Sequence, residues 1–170
     1  MDMTIRAALP AEYEELGDIT ALAYLGDGLL DGNPDGSYER ALRDVAGRAG
    51  EGEVLVAVLD GRLLGGVTFA PPGSPLADIA GPGEAEFRML AVAAAGRGKG
   101  AGEALVRACA ERARSLPGVT RLVLSTQPQM PAAHRLYGRL GFVRTPTRDW
   151  SPMPTVPLIT YALELYAPDQ

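Results

Sequence analysis

The sequence is short of the residues that reactive chemistry most often uses. It has one cysteine, Cys109, so no internal disulfide can form. It has one histidine, His134. A Ser-His-Asp hydrolase would depend on that single ring, no G-x-S-x-G is present, and zinc would lack nitrogen and sulfur ligands. No apolar run approaches the length of a membrane span. The opening "MDMTIRAALP" lacks the charged-then-apolar pattern of a signal peptide, so a cytoplasmic protein without a membrane partner is expected. Positive charge is not in excess either: the formal net charge is −5, which argues against bulk nucleic-acid binding. Lys99 is the only lysine, and every other permanent cation is an arginine. There is no internal repeat and no low-complexity block.

What is present suits a globular chain. The 170 residues are 46% hydrophobic, enough for one domain over residues 1–170 with a sizeable core. "TIRAAL" reads as a strand, and Pro10 opens a helix with Tyr13, Leu16, Ile19, Leu22 and Ala23 at helical spacing. An acidic, glycine-rich link follows, then a helix over Ser37 to Arg48. "EVLVAVLDGRLLGGVTFA" is two strands about an Asp60-Gly61 turn. "EAEFRMLAV" is a further strand and runs almost directly into "GRGKGAG". The next helix carries Ala101, Ala104, Leu105, Ala108 and Cys109 on one stripe. "RLVLST" is a buried-type strand, "PAAHRLYGRLGF" a helix closed by Gly141, "SPMPTVP" a stiff loop and "LITYALEL" the last strand. Hairpins mixed with two helical crossovers predict a mixed α/β sheet rather than a parallel one.

The glycine loop is the strongest local signal. Glycines let backbone approach a ligand closely, and the cations imply that the ligand is an anion. A Walker loop does not fit, because Ala93 stands where its first glycine belongs and Gly100 replaces the Ser or Thr after Lys99. Gly96, Gly98 and Ala101 match the dinucleotide fingerprint, but residues 115–126 carry no acid for a ribose. R-x-x-G-x-G remains, as Arg97, Gly100 and Gly102, where unpaired N–H groups at a helix start can receive a pyrophosphate. An ordinary strand-to-helix turn with surface cations fits the loop equally well.

"EFRMLAVAAAGRGKGAGEALV" resembles the signature of the GNAT superfamily of acyl-CoA-dependent N-acyltransferases. "PAAHRLYGRLGF" resembles that family's A-x-x-L-Y-x-x-x-G-F, filled by Ala133, Leu136, Tyr137, Gly141 and Phe142. The resemblance covers nearly the whole chain and is strongest from Glu84 to Phe142. It implies a mainly antiparallel sheet of six to seven strands, flanked by about four helices, with a splayed central parallel pair. It also implies acetyl-CoA as co-substrate, with pyrophosphate on Arg97, Gly98, Lys99, Gly100, Ala101, Gly102 and Glu103. Pantetheine would lie along Leu90, Ala91 and Val92. Two positions depart from the family pattern: Ala94 stands where proline is common, and Met130 where asparagine is common.

The resemblance also implies the chemistry. Tyr137 is the candidate general acid for the leaving thiolate, although its place on an apolar stripe also fits a core tyrosine. Glu86 is the candidate general base, and an exposed strand-start charge or an ion pair with Arg88 is the alternative. Ser125 stands where some relatives carry a glutamate. Cys109, on the helix stripe, reads as a buried structural thiol, and His134 as solvated. "DGNPDG" begins like a calcium loop but has Leu42 where the closing glutamate belongs, so no metal is assigned. Asp27, Asp31, Asp35 and Glu39 could instead attract a cationic amine. Trp150 and "SPMPTVP" could wall the acceptor side. The expected activity is acetyl transfer to a primary amine of a small molecule or peptide, in a ternary complex, by a monomer or homodimer. A non-catalytic acyl-CoA sensor is the alternative.

Overall fold

A computed structural model describes residues 3–26, 28 and 35–166 of the chain. The strands are β1 (Thr4–Ala7), β2 (Glu53–Leu59), β3 (Arg62–Ala70), β4 (Glu84–Val92), β5 (Arg121–Thr126), β6 (Val143–Arg144), β7 (Trp150–Met153) and β8 (Val156–Glu164). The helices are α1 (Tyr13–Gly26), α2 (Ser37–Arg43), α3 (Val45–Glu51), α4 (Ala101–Arg114) and α5 (Pro131–Arg139). The sheet runs β1-β2-β3-β4-β5-β8-β6, with β7 pairing β8. Among the described residues only β4 and β5 are parallel; every other pair is antiparallel. The mixed, mainly antiparallel sheet expected from the sequence is therefore present.

The β2–β3 hairpin turns where Asp60-Gly61 predicts. Both residues have positive φ, 53° and 77°, which matches the twist of the flanking strands. On one face of the sheet, Leu105, Cys109 and Ala113 of α4 and Leu136 and Tyr137 of α5 pack on Phe69, Phe87, Leu122 and Leu124. On the other face, Leu16 of α1 and Val45 of α3 pack on Val54, Val56 and Leu63.

Three local features differ from the sequence expectation. The helix expected over Ser37–Arg48 is two helices, because the Asp44 side chain accepts the Gly47 N–H at 3.0 Å and caps α3. That gives five helices instead of about four. The segment expected as a proline-rich loop contributes β7, so the sheet has eight strands rather than six to seven. β7 borders only β8, an edge position where Pro152 costs no ladder hydrogen bond. In α1 the buried side is Leu16, Gly17, Thr20, Ala21 and Tyr24, and Leu22 is 62% exposed. Gly17 fixes that rotation: a Cβ there would lie 2.9 Å from the Arg43 carbonyl oxygen, so α1 turns its smallest residue toward α2.

The β4–β5 ladder stops early. Pairing runs from Glu84–Arg121 to Phe87–Leu124 and no further. Between its Arg88 and Ala91 partners on β3, β4 holds one residue more than β3 does, and Met89 takes φ 57°. This bulge bends the strand away from β5. Residues 88–92 then face a split in the sheet with no strand on that side among the described residues.

Candidate active site

The split is lined on one side by Leu90, Ala91 and Val92 of β4 and on the other by α5 residues Ala133, Leu136 and Arg139. Its floor is the loop into α4, through Gly96, Arg97, Gly98 and Gly100 to Glu103. The groove has a volume of about 610 Å³, within the usual range for a small-molecule site. Of the loop residues singled out from the sequence, only Lys99 does not line it; that side chain is exposed.

The loop is a cradle of donors. Gly98 and Gly100 have φ 77° and 83°, and a Cβ at either would meet nothing, so backbone conformation rather than space demands glycine. The first N–H groups of α4 have no backbone acceptor until Ala104 reaches the Gly100 carbonyl at 3.0 Å. These groups carry the positive end of the helix dipole. The Glu103 carboxylate is held by Arg107 at 3.2 Å and Arg139 at 3.4 Å, which keep its pKa below the ordinary value. Glu103 can therefore serve an anion through its N–H only. Arg139 was missed from the sequence; it lies one helical turn from Arg135 with nothing local to distinguish the two.

A second cavity, of about 60 Å³, continues from the groove; Tyr24, Leu90 and Met130 border both. It brings together Glu86 and Tyr137, the two catalytic candidates, from opposite faces of the sheet. Tyr137 is 3% exposed, its ring packed on Phe87, Phe142 and Tyr161 at 5.6–5.9 Å between centroids. Its hydroxyl has no hydrogen-bond partner among the described residues, and no fully buried side-chain polar atom among them lacks one, so the hydroxyl reaches open space. Burial, with lesser contributions from Tyr161 and Cys109, pushes its pKa well up, which keeps the proton on at neutral pH.

Glu86 is 1% exposed and is not the surface charge or Arg88 ion pair the sequence also allowed. Its Oε1 accepts three backbone N–H groups, from Asp78 at 3.0 Å, Ile79 at 2.8 Å and Ala80 at 3.0 Å. Oε2 has no partner among the described residues and, by the same reasoning as for Tyr137, reaches the cavity. Burial raises the Glu86 pKa despite the three N–H groups, which act in the opposite direction. The loop that Glu86 holds is anchored again by Glu84, which takes the Gly81 N–H at 2.9 Å and ion pairs with Arg148 at 2.8 Å and Arg121 at 3.0 Å. Arg148 also donates to the Ile79 carbonyl at 2.7 Å.

Other sequence expectations fare unevenly. Cys109 is fully buried, and burial raises its pKa far above the thiol range, as a structural thiol requires. His134 is only partly solvated: it is half-buried, with Nε2 3.1 Å from the Gln127 carbonyl and its ring 5.8 Å from that of Tyr161. Trp150 does not line the cavity; it donates to Ser125 Oγ at 3.0 Å, and Ser125 and Leu158 form that wall. Asp27 and Asp31, with most of "DGNPDG", lie outside the described residues. Asp35 is engaged with the Ser37 N–H and Glu39 with Arg43, both at the surface. Among the described residues no group of three or more acidic, histidine or cysteine side chains could hold a metal. No described helix is long and apolar enough to cross a membrane.

The acetyltransferase (GNAT) family profile matches residues 15–142. No curated protein is a significant match. Among solved structures, the chain is similar to a histone acetyltransferase HPA2 and related acetyltransferase from Corynebacterium glutamicum, with TM-score 0.74, 22% identity and 99% of each chain covered. It is similar to the candidate acetyltransferase yncA from Salmonella typhimurium, solved with its cofactor acetyl-CoA, with TM-score 0.66, 26% identity and 98% of each chain covered. An acetyltransferase of the GNAT family from Staphylococcus aureus Mu50 matches with TM-score 0.70 at 15% identity, over 97% of this chain and 100% of that one.

Proposed function

Because this chain belongs to the acetyltransferase (GNAT) family, we propose that it transfers the acetyl group of acetyl-CoA to a primary amine of a small molecule or peptide, by direct attack in a ternary complex. One observation carries this: the split between β4 and β5 joins a cradle of helix-start donors to a cavity where Glu86 Oε2 and the Tyr137 hydroxyl are both open.

Acetyl-CoA supplies the activated acetyl thioester. The residues present fit it: positive-φ Gly98 and Gly100 and the α4 N–H groups suit a pyrophosphate, with Arg97 and Arg139 adding charge. The unpaired edge at residues 90–92 suits the amides of an extended chain, as in strand addition. Glu86 takes the proton that the amine loses, and its raised pKa makes it a better base than a surface glutamate. Tyr137 donates its proton to the departing thiolate as the N–C bond forms and the thioester C–S bond breaks. Backbone N–H near Val92 would polarise the carbonyl. No cysteine acyl-enzyme is invoked, since the Cys109 thiol is buried in the α4 packing. A non-catalytic sensor would keep the groove but would have no use for an open base and an open hydroxyl in one cavity.

The test is thermal denaturation with acetyl-CoA, NAD, ATP or Ca²⁺ at matched concentration, followed by thiol release with a panel of amines. Only a ligand of the folded state raises Tm. A rise with acetyl-CoA alone and amine-dependent thiol release is expected; a rise without turnover of any amine would favour the sensor.

A further inference from the structure

We infer that the acceptor carries a carboxylate beside its amino group, as a free amino acid does, and that Arg88 selects it. The inference rests on the acetyl-transfer reading above and deepens it.

Arg88 stands two residues after Glu86 on β4, so the two side chains share a face, and both line the 60 Å³ cavity. Its Nη1 is engaged, donating to the Leu76 carbonyl at 3.0 Å and lying 3.3 Å from Asp78 Oδ2. Its Nε and Nη2 have no partner among the described residues. Because no fully buried side-chain nitrogen among those residues is unsatisfied, both are accessible. These two nitrogens present parallel N–H bonds, the fork that binds a carboxylate bidentately. An arginine held at one nitrogen with its fork open is oriented before any ligand arrives.

The spacing fits an amino-acid head. Alternate residues on a strand lie about 6–7 Å apart along it. An ammonium at Glu86 Oε2 and a carboxylate on the Arg88 fork, joined through one carbon, bridge that interval. The cavity, about 60 Å³ against about 610 Å³ for the groove, suits a small polar head group. Charge points the same way. Arg48, 5% exposed and fixed by Thr68 Oγ1, Ala41 O and Leu42 O, lies close enough to Arg88 to be repelled by it. The acids facing this pair are Asp78, already on Arg88, Asp44, which attracts Arg48 but is spent capping α3 at Gly47, and Glu86, whose Oε1 is turned to the loop. A purely cationic acceptor would meet Arg88 in the cavity with Arg48 behind it, whereas a carboxylate would pair with the Arg88 fork.

The experiment compares wild-type kcat/KM by thiol release for the twenty L-amino acids, their carboxamides and their decarboxylated amines. Acetyl-CoA binding is scored separately by Tm. At least one amino acid should exceed both analogues by roughly 30-fold or more, the scale of a lost charged hydrogen-bond pair. Arg88→Gln should lower kcat/KM for that acid, through KM, by far more than for its carboxamide. Arg88→Lys should recover little of the loss, because it keeps the charge without the fork. Carboxamides or simple amines turned over as well as the acids would overturn the inference, and so would Arg88→Gln lowering all three classes alike. If only cationic or neutral amines react while acetyl-CoA still raises Tm, the acceptor inference fails and the transfer reading stands. If acetyl-CoA neither binds nor reacts, both fall.

Discussion

Replacing Glu86 would separate the two roles proposed for its two oxygens. In Glu86→Gln the amide carbonyl can still accept the N–H groups of Asp78, Ile79 and Ala80, though without charge assistance. Charge-assisted bonds are about twice as strong as neutral ones, so the fold should lose about 1 kcal/mol. In Glu86→Ala all three N–H groups lose their acceptor. At about 1 kcal/mol each, the lower end for an unsatisfied donor, the loss is about 3 kcal/mol, with a further contribution from the space left behind. For a chain of this size that corresponds to a Tm fall of roughly 6–12 °C, against roughly 2–4 °C for glutamine. Activity should divide differently. Both variants lack the base, so both should lose about 10²–10⁴ in kcat/KM. The pH profile adds a third signature. The Glu86 pKa lies above its ordinary 4.5, so the acid limb of kcat/KM should sit above that value and vanish in Glu86→Gln. Wild-type turnover in Glu86→Gln would refute the base assignment. Equal Tm values for the two variants would refute the account of the loop.

Tyr137→Phe keeps every ring contact and removes a hydroxyl with no partner among the described residues; Tm should hold within a degree or two while kcat falls about 10²–10⁴-fold, by melting and steady-state kinetics. Gly98→Ala and Gly100→Ala each force a side chain into positive φ at a cost of about 1–2 kcal/mol, and isothermal titration should show weaker acetyl-CoA binding with little change in turnover at saturation. Burial alone would raise the Glu84 pKa, but Arg148, the Gly81 N–H and Arg121 lower it to about 2. Its contribution is present above the unfolded value of about 4.5 and is lost as pH falls toward 2, so Glu84→Gln should flatten the fall of Tm across that window.

The parts of the molecule that were legible in the sequence are those set by neighbours in the chain. Asp60-Gly61 fixes its hairpin through its own φ values, and the glycine loop announces α4 because positive φ at Gly98 and Gly100 is a local demand. The face of α1 was misjudged because its rotation depends on contact between Gly17 and the backbone of Arg43, a residue of α2. β7 was hidden by Pro152, which an edge strand tolerates and a central one would not. Around the site, Glu86 and Tyr137 were singled out only through resemblance, since "EAEFRMLAV" and an apolar helix stripe look the same whether or not they meet across a sheet. The role of Glu84 could not be read at all: its partner Arg148 lies 64 residues away. Arg88 looked like a partner for Glu86, and its actual neighbours, Leu76 and Asp78, belong to a loop with no periodic signal.

The wall formed by residues 78–81 is attached to the sheet through main chain. Glu86 and Glu84 hold it by the N–H groups of residues 78–81, and Arg148 holds it by the Ile79 carbonyl. Nothing in that attachment reads the side chains of Ile79 or Ala80, which are therefore free to be exchanged while the loop keeps its course. Descendants of this sequence could change the loop one residue at a time without disturbing the Glu86 carboxylate that lies beneath it. Proline is the exception, because it alone arrives without the hydrogen by which the wall is hung.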